Sequence, residues 1–469
     1  MWVVLWTDAL LYLLIAAVLL YALMTVRTPH LREPWRQVFG RPLGMATTLV
    51  LIAFVSVAVL DSIHYKPPVY SNSGEFLRYG TRIISTFDAL VTELREDAEK
   101  TYSAPFAVHL YVKQMVPIGD GETAYRYPRL KYGGAQLEHP ETQRLTDIGL
   151  RTLHGIVWGL AVTLAAVILA LLAGAAALRR SPAALAAQLA SGRTTVAWRT
   201  LLVTLAALLV FISVIAALAD GYHILGTDKI GQDVLYKTLK SIRTGVLIGT
   251  LTTLVMMPFA LLLGPMAGYF RGVTDDIIQY VYTTLSSIPG VLLIVAAVLM
   301  LQVFMQNHPQ MFDSTAARAD IRLLFLCIIL GITSWSNLCR ILRAETLKLT
   351  QMEYVQAATA LGVGRMRILG RHLLPNVMHL VLIQIVLDFS ALVLAEAVLS
   401  YIGVGVDPST YSWGNMINSA RLEFARDPIV WWPLAAAFIF MLGLVLCANL
   451  FSDAVRDAFD PRLRRGFSL

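Results

Sequence analysis

The segment EYVQAATALGVGRMRILGRHLLPN, Glu353 to Asn376, is polar enough for water yet lies between two long apolar stretches. Its residue types suit contact chemistry rather than bond chemistry. Tyr354, Ala358 and Leu361 fall at i, i+4 and i+7 and make one apolar stripe on a short helix. Ala357 and Ala358 keep that surface thin, so another protein's groove can approach closely. Gly362 ends the helix without steric cost, and Pro375 biases Leu374 away from helical geometry and marks the start of the next element. A short basic segment of this kind between two apolar stretches is a handle for a soluble partner.

Asp388 and Glu396 are the next candidates for chemistry, because they sit inside one apolar stretch. An ionisable group at the centre of a spanning helix costs roughly 2.5–3.5 kcal/mol, so each requires a reason. They lie two turns apart along a helix and about 80° around it, on neighbouring faces. Glu396 reads as a hydrogen-bonded strut in preference to the wall of an aqueous path; Asp388 divides evenly between the two. Ser334, Ser336, Asn337 and Asn449 read as interhelical hydrogen-bonding groups. No G-x-x-x-x-G-K-[ST] loop is present to cradle phosphates. The histidines, including His154, His223, His372 and His379, lack paired metal-ligand spacing, so no metal site is expected. Cys327, Cys339 and Cys447 lie in apolar segments and read as small hydrophobes. The chain is thus read as a non-enzyme whose energy source belongs to another chain.

The elements that must position these groups are membrane helices. The 469 residues are 57% hydrophobic and 15% charged, against roughly 25% charged in ordinary soluble proteins. The formal net charge of +7 does not indicate nucleic acid, since the cations are scattered through short loops. Nine apolar segments reach the length of about 20 residues that a bilayer demands: 2–24, 43–60, 153–178, 200–219, 244–268, 280–304, 321–339, 377–402 and 431–451. Trp2 to Met24 is followed by Arg27 rather than a small-residue cleavage site and is expected to be a retained helix. Pro258, Gly264, Pro265 and Pro289 predict kinks.

Cation placement sets the expected orientation. Arg27, Arg32, Arg36 and Arg41 precede span two; Arg179, Arg180, Arg193 and Arg199 separate spans three and four. Arg340, Arg343, Lys348, Arg365, Arg367 and Arg371 separate seven and eight, and Arg456, Arg462, Arg464 and Arg465 follow nine. All four groups share the cytoplasmic side if the N-terminus is outside and the C-terminus inside. Lys229, Lys237, Lys240 and Arg243 break the rule. The segment GTDKIGQDVLYKTLKSIRTG (226–245) is therefore expected to be a surface-lying amphipathic helix, with Val234, Leu235, Leu239 and Ile242 on its apolar face. Residues 61–152 are expected outside as a small folded module with its own helical pattern (Ile83, Ile84, Phe87, Leu90, Val91, Leu94).

Four separated motifs carry a resemblance. Ala357-Ala358, Gly362 and Leu374-Pro375 resemble the EAA loop of bacterial ABC importer permeases, with Gln356 in place of the acid that names it. RHLLPN (Arg371–Asn376) is similar to the dipeptide/oligopeptide permease family. Gly226–Val234 resembles that family's GTD-x-x-GRDV signature, Gln232 replacing the arginine. Ala395–Met416 resembles its E-x-x-LSFLGLG…SWG pattern, which includes Glu396, and Asp453–Leu463 its C-terminal signature.

The resemblance covers roughly Ala197 to Leu463. It implies an all-α polytopic membrane protein with a six-span ABC importer type I permease core, here with three extra N-terminal spans and the small periplasmic module. The implied divisions are 1–60 (two helices), 61–152 (module), 153–196 (third helix and linker) and 197–469 (core, with coupling loop 349–375). The resemblance assigns ATPase coupling to Tyr354, Gln356, Ala357, Ala358, Leu361, Gly362, Arg365 and Pro375. It puts Gly226, Thr227, Asp228, Gly231, Asp233, Trp413 and Gly414 at a periplasmic mouth that meets a binding protein. It implies peptide uptake across a bacterial inner membrane, a second homologous permease, two cytoplasmic ATPases that bind ATP and Mg, and a periplasmic substrate-binding protein. No cofactor is implied on this chain itself. The rivals are an ion-driven secondary transporter, which would show internal repeats and mid-membrane ionisable groups, and a membrane sensor with 61–152 as receptor. No repeat and no cytoplasmic output domain is visible for either.

Overall fold

The structure, a computed structural model, describes residues 1–459 apart from 71–75, 81, 120–121, 180, 192–195 and 312–313. Arg180, Arg193, Arg462, Arg464, Arg465 and the end of the C-terminal motif, used in the readings above, lie outside the described residues. The helices begin with α1 (Trp6–Arg27), α2 (Pro29–Gly40), α3 (Pro42–Ser62), α4 (Thr86–Leu90), α5 (Thr92–Glu96), α6 (Pro140–Leu178), α7 (Pro182–Ser191) and α8 (Trp198–Ala219). They continue with α9 (Val234–Phe270), α10 (Val273–Ser287), α11 (Gly290–Asn307), α12 (Thr315–Leu349), α13 (Glu353–Ala360) and α14 (Arg365–Ile368). After a π-helical turn, Leu369–Leu373, come α15 (Leu374–Ile402), α16 (Trp413–Arg421) and α17 (Trp432–Phe459).

Among the described residues nine helices are long and apolar enough to cross a bilayer, in the order the sequence predicts. Three boundaries differ most. The span expected at 153–178 begins at Pro140, so 140–152 belongs to α6 and the segment expected as a module at 61–152 ends at 139. The span expected at 280–304 is two helices, because Pro289 holds Ile288 extended at φ −86°, ψ 130° and a new helix starts at Gly290. The separate surface helix expected at 226–245 is absent: Val234–Arg243 forms the first turns of α9, a 37-residue helix that includes Pro258 and Pro265. Its lysines need no membrane surface because they meet acids, as described below.

The chain folds as two compact units. The first comprises Met1–Val3, Trp35–Arg243 and Tyr411–Cys447; the second comprises Val4–Pro34, Thr244–Thr410 and Ala448–Leu469. This division cuts across the boundary expected near 197. α1, expected among the additional helices, belongs to the second unit, whereas α8, expected as the first core span, packs in the first with α3 and α6.

In the first unit Gly155 and Gly159 bring the backbone of α6 against Val214 and Val210 of α8. β1 (Trp2–Val3) forms one antiparallel sheet with two short strands of residues 61–139, β2 (His64–Tyr65) and β5 (Ile84–Ser85); within the same residues β3 (Pro68–Tyr70) pairs with β4 (Phe76–Tyr79) and β6 (Gln114–Gly119) with β7 (Glu122–Arg126). The helical pattern read at 83–94 becomes β5 followed by the one-turn helices α4 and α5, which meet at Val91. Ser85 and Asp88 form a capping box there. Asp88 also receives Tyr236 Oη at 2.8 Å and Lys240 Nζ at 2.7 Å, and Lys240 reaches Asp61 Oδ1 at 3.0 Å. Burial alone would raise the Asp88 pKa; the Lys240 charge and the hydrogen bonds outweigh it and hold the carboxyl below its usual range. Lys237 pairs with Asp228. The end of α3, the segment at 85–88 and the start of α9 are thus held by one buried ionic cluster.

In the second unit α1 docks by its N-terminus. The backbone N–H groups of Trp6 and Thr7 donate to Asp320 Oδ2 of α12 at 2.9 and 3.3 Å, and the Thr7 hydroxyl donates to the same carboxylate. A carboxylate there satisfies otherwise unpaired helix N–H groups. Below it Leu11 enters a core with Leu247, Leu251, Val298, Leu326 and Leu392. A second core joins Met256, Ala260, Ile278, Tyr282, Trp335, Leu338 and Val377. Ser286 donates to Ser336 at 3.4 Å, an interhelical bond of the kind expected for Ser336.

Replacing Lys240 with Met should destabilise the first unit by about 3–5 kcal/mol, because Asp61 and Asp88 would remain buried without their cation. Thermal unfolding of the detergent-solubilised protein would show it as a lowered midpoint, and an unchanged midpoint would contradict the ionic account.

Candidate functional site

α13 rests on an apolar bed within the second unit. Val355 and Ala358, on its inner side, pack with Ile368, Leu369 and Leu373 and with Met266, Tyr269, Phe270 and Leu349, the ends of α9 and α12. Gly362 then takes φ +76°, a left-handed conformation open to glycine, and its N–H reaches Thr359 O at 3.0 Å. The turn expected there is present.

The outward side differs from the expected stripe. Tyr354 is 40% and Leu361 83% exposed, but Ala358 is only 8% exposed and belongs to the bed. Met352 and Met366 join Tyr354 and Leu361 as exposed apolar side chains, with Ala357, Arg365, Arg367 and Arg371 exposed around them. Asn376 fixes the tyrosine: its Nδ2 lies 3.2 Å from Tyr354 Oη and donates to His372 O at 2.6 Å. Gln356, exposed, donates to Gln351 O at 3.1 Å and makes a local cap without charge. Pro375 stands at the start of α15 as expected, but Leu374 before it is helical, at φ −53°, ψ −49°, so the helical path runs on from Arg365 to Ile402. The wider π turn at Leu369–Leu373 directly precedes the proline, where an α-helix would clash. Arg343 of α12 binds Asp275 of α10 through two bonds of 2.6 Å, which hold the Asp275 carboxyl below its usual range.

The second residue set lies in the first unit, and the structure buries it. Gly226, Thr227, Gly231, Asp233, Trp413 and Gly414 are buried and Asp228 is half-buried, so the expected direct meeting with a soluble protein is not available to most of them. Residues 99–103 cover the loop. Thr227 N donates to Ser103 O at 3.0 Å, Ser103 N donates to Thr227 Oγ1 at 2.7 Å, and Trp432 Nε1 donates to Thr227 O at 2.9 Å. Gly231 has φ +77°, and a Cβ there would collide with the Glu99 backbone. Asp228 Oδ1 accepts from the N–H groups of Ile230 and Gln232, both at 3.0 Å. Trp413 Nε1 donates to Thr238 O at 3.1 Å, and the Ser412 hydroxyl caps α16.

Sequence reasoning passed over His223 because no partner lies at a telling spacing. Its Nδ1 is 2.7 Å from Asp233 Oδ2 and its Nε2 is 3.6 Å from Glu99 Oε1. Asp233 Oδ1 also receives Leu235 N at 2.7 Å at the start of α9. Glu99 accepts the backbone N–H groups of Lys131, Tyr132 and Gly133 at 3.0, 2.8 and 3.2 Å. Burial pulls the imidazole pKa down, but the Asp233 hydrogen bond and Glu99 outweigh it and push it up to about 9. Burial pushes Glu99 up, and His223 with the three N–H donors outweighs that and brings it to about 2. The arrangement is an ionic clasp between residues 99–133 and the 223–233 loop. Among the described residues no cluster of His, Cys, Asp and Glu has the geometry of a metal site.

Of the two acids in α15, Glu396 is buried and accepts the Ser400 hydroxyl at 2.6 Å, while Ser400 Oγ accepts Val406 N at 3.3 Å. That chain fastens the turn after α15, as a strut does. Asp388 is half-buried and accepts Gln384 Nε2 of its own helix at 2.8 Å.

The family described as binding-protein-dependent transport system inner membrane component matches residues 260–465. The oligopeptide transport system permease protein of Haemophilus influenzae is 32% identical over 245 residues, covering 52% of this chain and 72% of the relative. A glutathione transport system permease protein of Pectobacterium atrosepticum is 30% identical over 243 residues, 52% and 73% of the two chains. A dipeptide transport system permease protein of Bacillus subtilis is 28% identical over 243 residues, 52% and 70%.

Two outcomes follow from this geometry. The clasp's contribution from His223, whose unfolded pKa is 6.5, is complete below about pH 6.5 and lost as pH rises through about 9. That from Glu99 is complete above about 4.5 and lost toward 2. Limited proteolysis within 99–139 should therefore accelerate between pH 6.5 and 9, and His223→Asn should be cut equally fast across that range. On the α13 surface, Leu361→Glu should leave folding intact because the side chain is exposed, whereas Ala358→Glu should lower the unfolding midpoint by introducing a charge into the bed.

Proposed function

We propose that peptides are the cargo of this chain, which belongs to the family of binding-protein-dependent transport system inner membrane components and is a membrane-spanning permease subunit of an ABC importer. The cargo is supported by the relatives, whose names give oligopeptides, dipeptides and glutathione as what they move. The proposed assembly pairs the chain with a second homologous permease, two cytoplasmic ATPases that hold ATP and magnesium, and a substrate-binding protein outside. In the proposed orientation the N-terminus and residues 61–139 are outside, and α13 and the C-terminus are cytoplasmic. The described part of the arginine distribution supports it.

The single observation that carries the mechanism is the exposed apolar face of α13 above its buried bed. ATP-driven closure of the ATPases would displace Tyr354, Ala357 and Leu361. The bed would pass that displacement to the ends of α9 and α12 and, through 365–373, to α15. Helices that are close-packed move as bodies, so the cavity would switch between two access states rather than deform continuously. On the outer side, residues 99–103 cover the 226–233 loop, so the binding protein would meet this segment in place of the loop itself.

Reconstitution of the complete complex in proteoliposomes tests this reading. Uptake of a labelled peptide should require ATP and the binding protein and survive collapse of the ion gradients. Uptake driven by a gradient in the absence of ATP would reject it.

A further inference from the structure

A cleft of about 570 Å³ opens beside α13, lined chiefly by Tyr269, Arg271, Thr350, Gln356, Thr359 and Ala360. Its size matches what small ligand groups or inserted side chains occupy. Among the described residues Arg271 is the single charged one lining it. The arginine sits at the turn between α9 and α10 with φ +54°, a left-handed conformation that the adjacent Gly272, at φ +55°, adopts freely and that a residue with a Cβ resists. Its guanidinium donates to Thr350 Oγ1 at 3.1 Å, so the charge is held at the cleft while the residue remains exposed.

On α13, Gln356 turns its amide to Gln351 O and brings no charge. The acid that names the EAA motif would stand at this position. A carboxylate at 356 would share the cleft with Arg271 and neutralise it within the chain; the amide leaves the cleft positive. Its surroundings reinforce that sign. Between residues 345 and 376, Lys348, Arg365, Arg367 and Arg371 stand against Glu345 and Glu353.

We propose that the Arg271 cleft is a socket for an acidic side chain, Asp or Glu, of the ATPase subunit that docks on α13, and that Gln356 keeps the socket unfilled from within. This rests on α13 being the coupling surface. The arginine can take both oxygens of a carboxylate through its planar fork, and the docked ATPase would cover the exposed pair. The socket thereby selects a cognate ATPase by charge, while Tyr354, Leu361 and the methionines supply apolar contact.

The test is co-purification of the intact importer complex, with ATPase retention measured at low and high salt. Arg271→Gln and Gln356→Glu should each weaken retention about tenfold, Arg271→Lys should restore only part of it because an ammonium cannot take both oxygens, and both losses should shrink between about 0.05 M and about 0.5 M salt. Leu361→Glu should shed the ATPase at every salt concentration. Wild-type retention by Arg271→Gln and Gln356→Glu, with loss in Leu361→Glu, overturns the socket alone. Wild-type retention by all three overturns the coupling surface and the socket together.

Discussion

The apolar bed under α13 ties one exposed surface to three membrane helices. Val355 and Ala358 give the short helix an inner side, and Ile368, Leu369 and Leu373 close over it from the next segment. Met266, Tyr269 and Phe270 end α9 and Leu349 ends α12, so the bed is built from the places where those helices stop. An eight-residue helix has little stability of its own. It exists because this bed buries its inner side, and the same burial makes it a handle: a force on Leu361 or Tyr354 cannot be absorbed by α13 bending away. The Asn376 bond to Tyr354 stiffens the same region from α15, and the Arg343–Asp275 pair ties α12 to one further helix, α10.

The first unit solves a different problem. It contains carboxylates and cations that are mostly out of solvent, and each finds a counter-charge or backbone N–H groups. Asp61 and Asp88 meet Lys240; Asp233 and Glu99 meet His223; Asp233 also satisfies the start of α9. Buried charges of this sort add less net stability than their short distances suggest, since desolvation offsets the attraction. Their effect is specificity. Residues 85–103 can seat on the 223–240 segment in only one register if every charge is to be matched. The family-like loop therefore carries a cover in this chain, and its polar groups serve to hold that cover.

Much of the candidate site was legible in local sequence. The Ala-Ala and Gly362 spacing gave α13 and its terminating turn, because helix length and a left-handed turn are decisions of a few neighbouring residues. Ala358 was misread for the same reason. Tyr354, Val355, Ala358 and Leu361 offer two overlapping apolar stripes, and periodicity cannot say which one a bed will cover. Pro375 predicted an interruption, and the chain instead widened one turn into a π helix and continued. His223 and Glu99 are 124 residues apart, so no pattern along the chain could join them. Lys240 looked like a surface cation because its acids, Asp61 and Asp88, come from separate segments, and Lys237 because Asp228, nine residues before it, is not at a helical spacing.

The sequence by itself determined that nine segments are long and apolar enough to cross a bilayer, where most of them begin and end, and that the chain has no phosphate-binding loop. Those are consequences of hydropathy over about 20 residues and of short-range backbone chemistry. Tertiary structure decided which helices share a core. It put α1 with α9, α11, α12 and α15 through the Asp320 contacts and Leu11, and α8 with α3 and α6 through close backbone approach. In a membrane every spanning helix is apolar, so hydrophobicity cannot distinguish partners. The choice falls to a few polar contacts and small residues whose mates are distant in sequence, 51 residues for Gly159 and Val210 and 314 for Trp6 and Asp320.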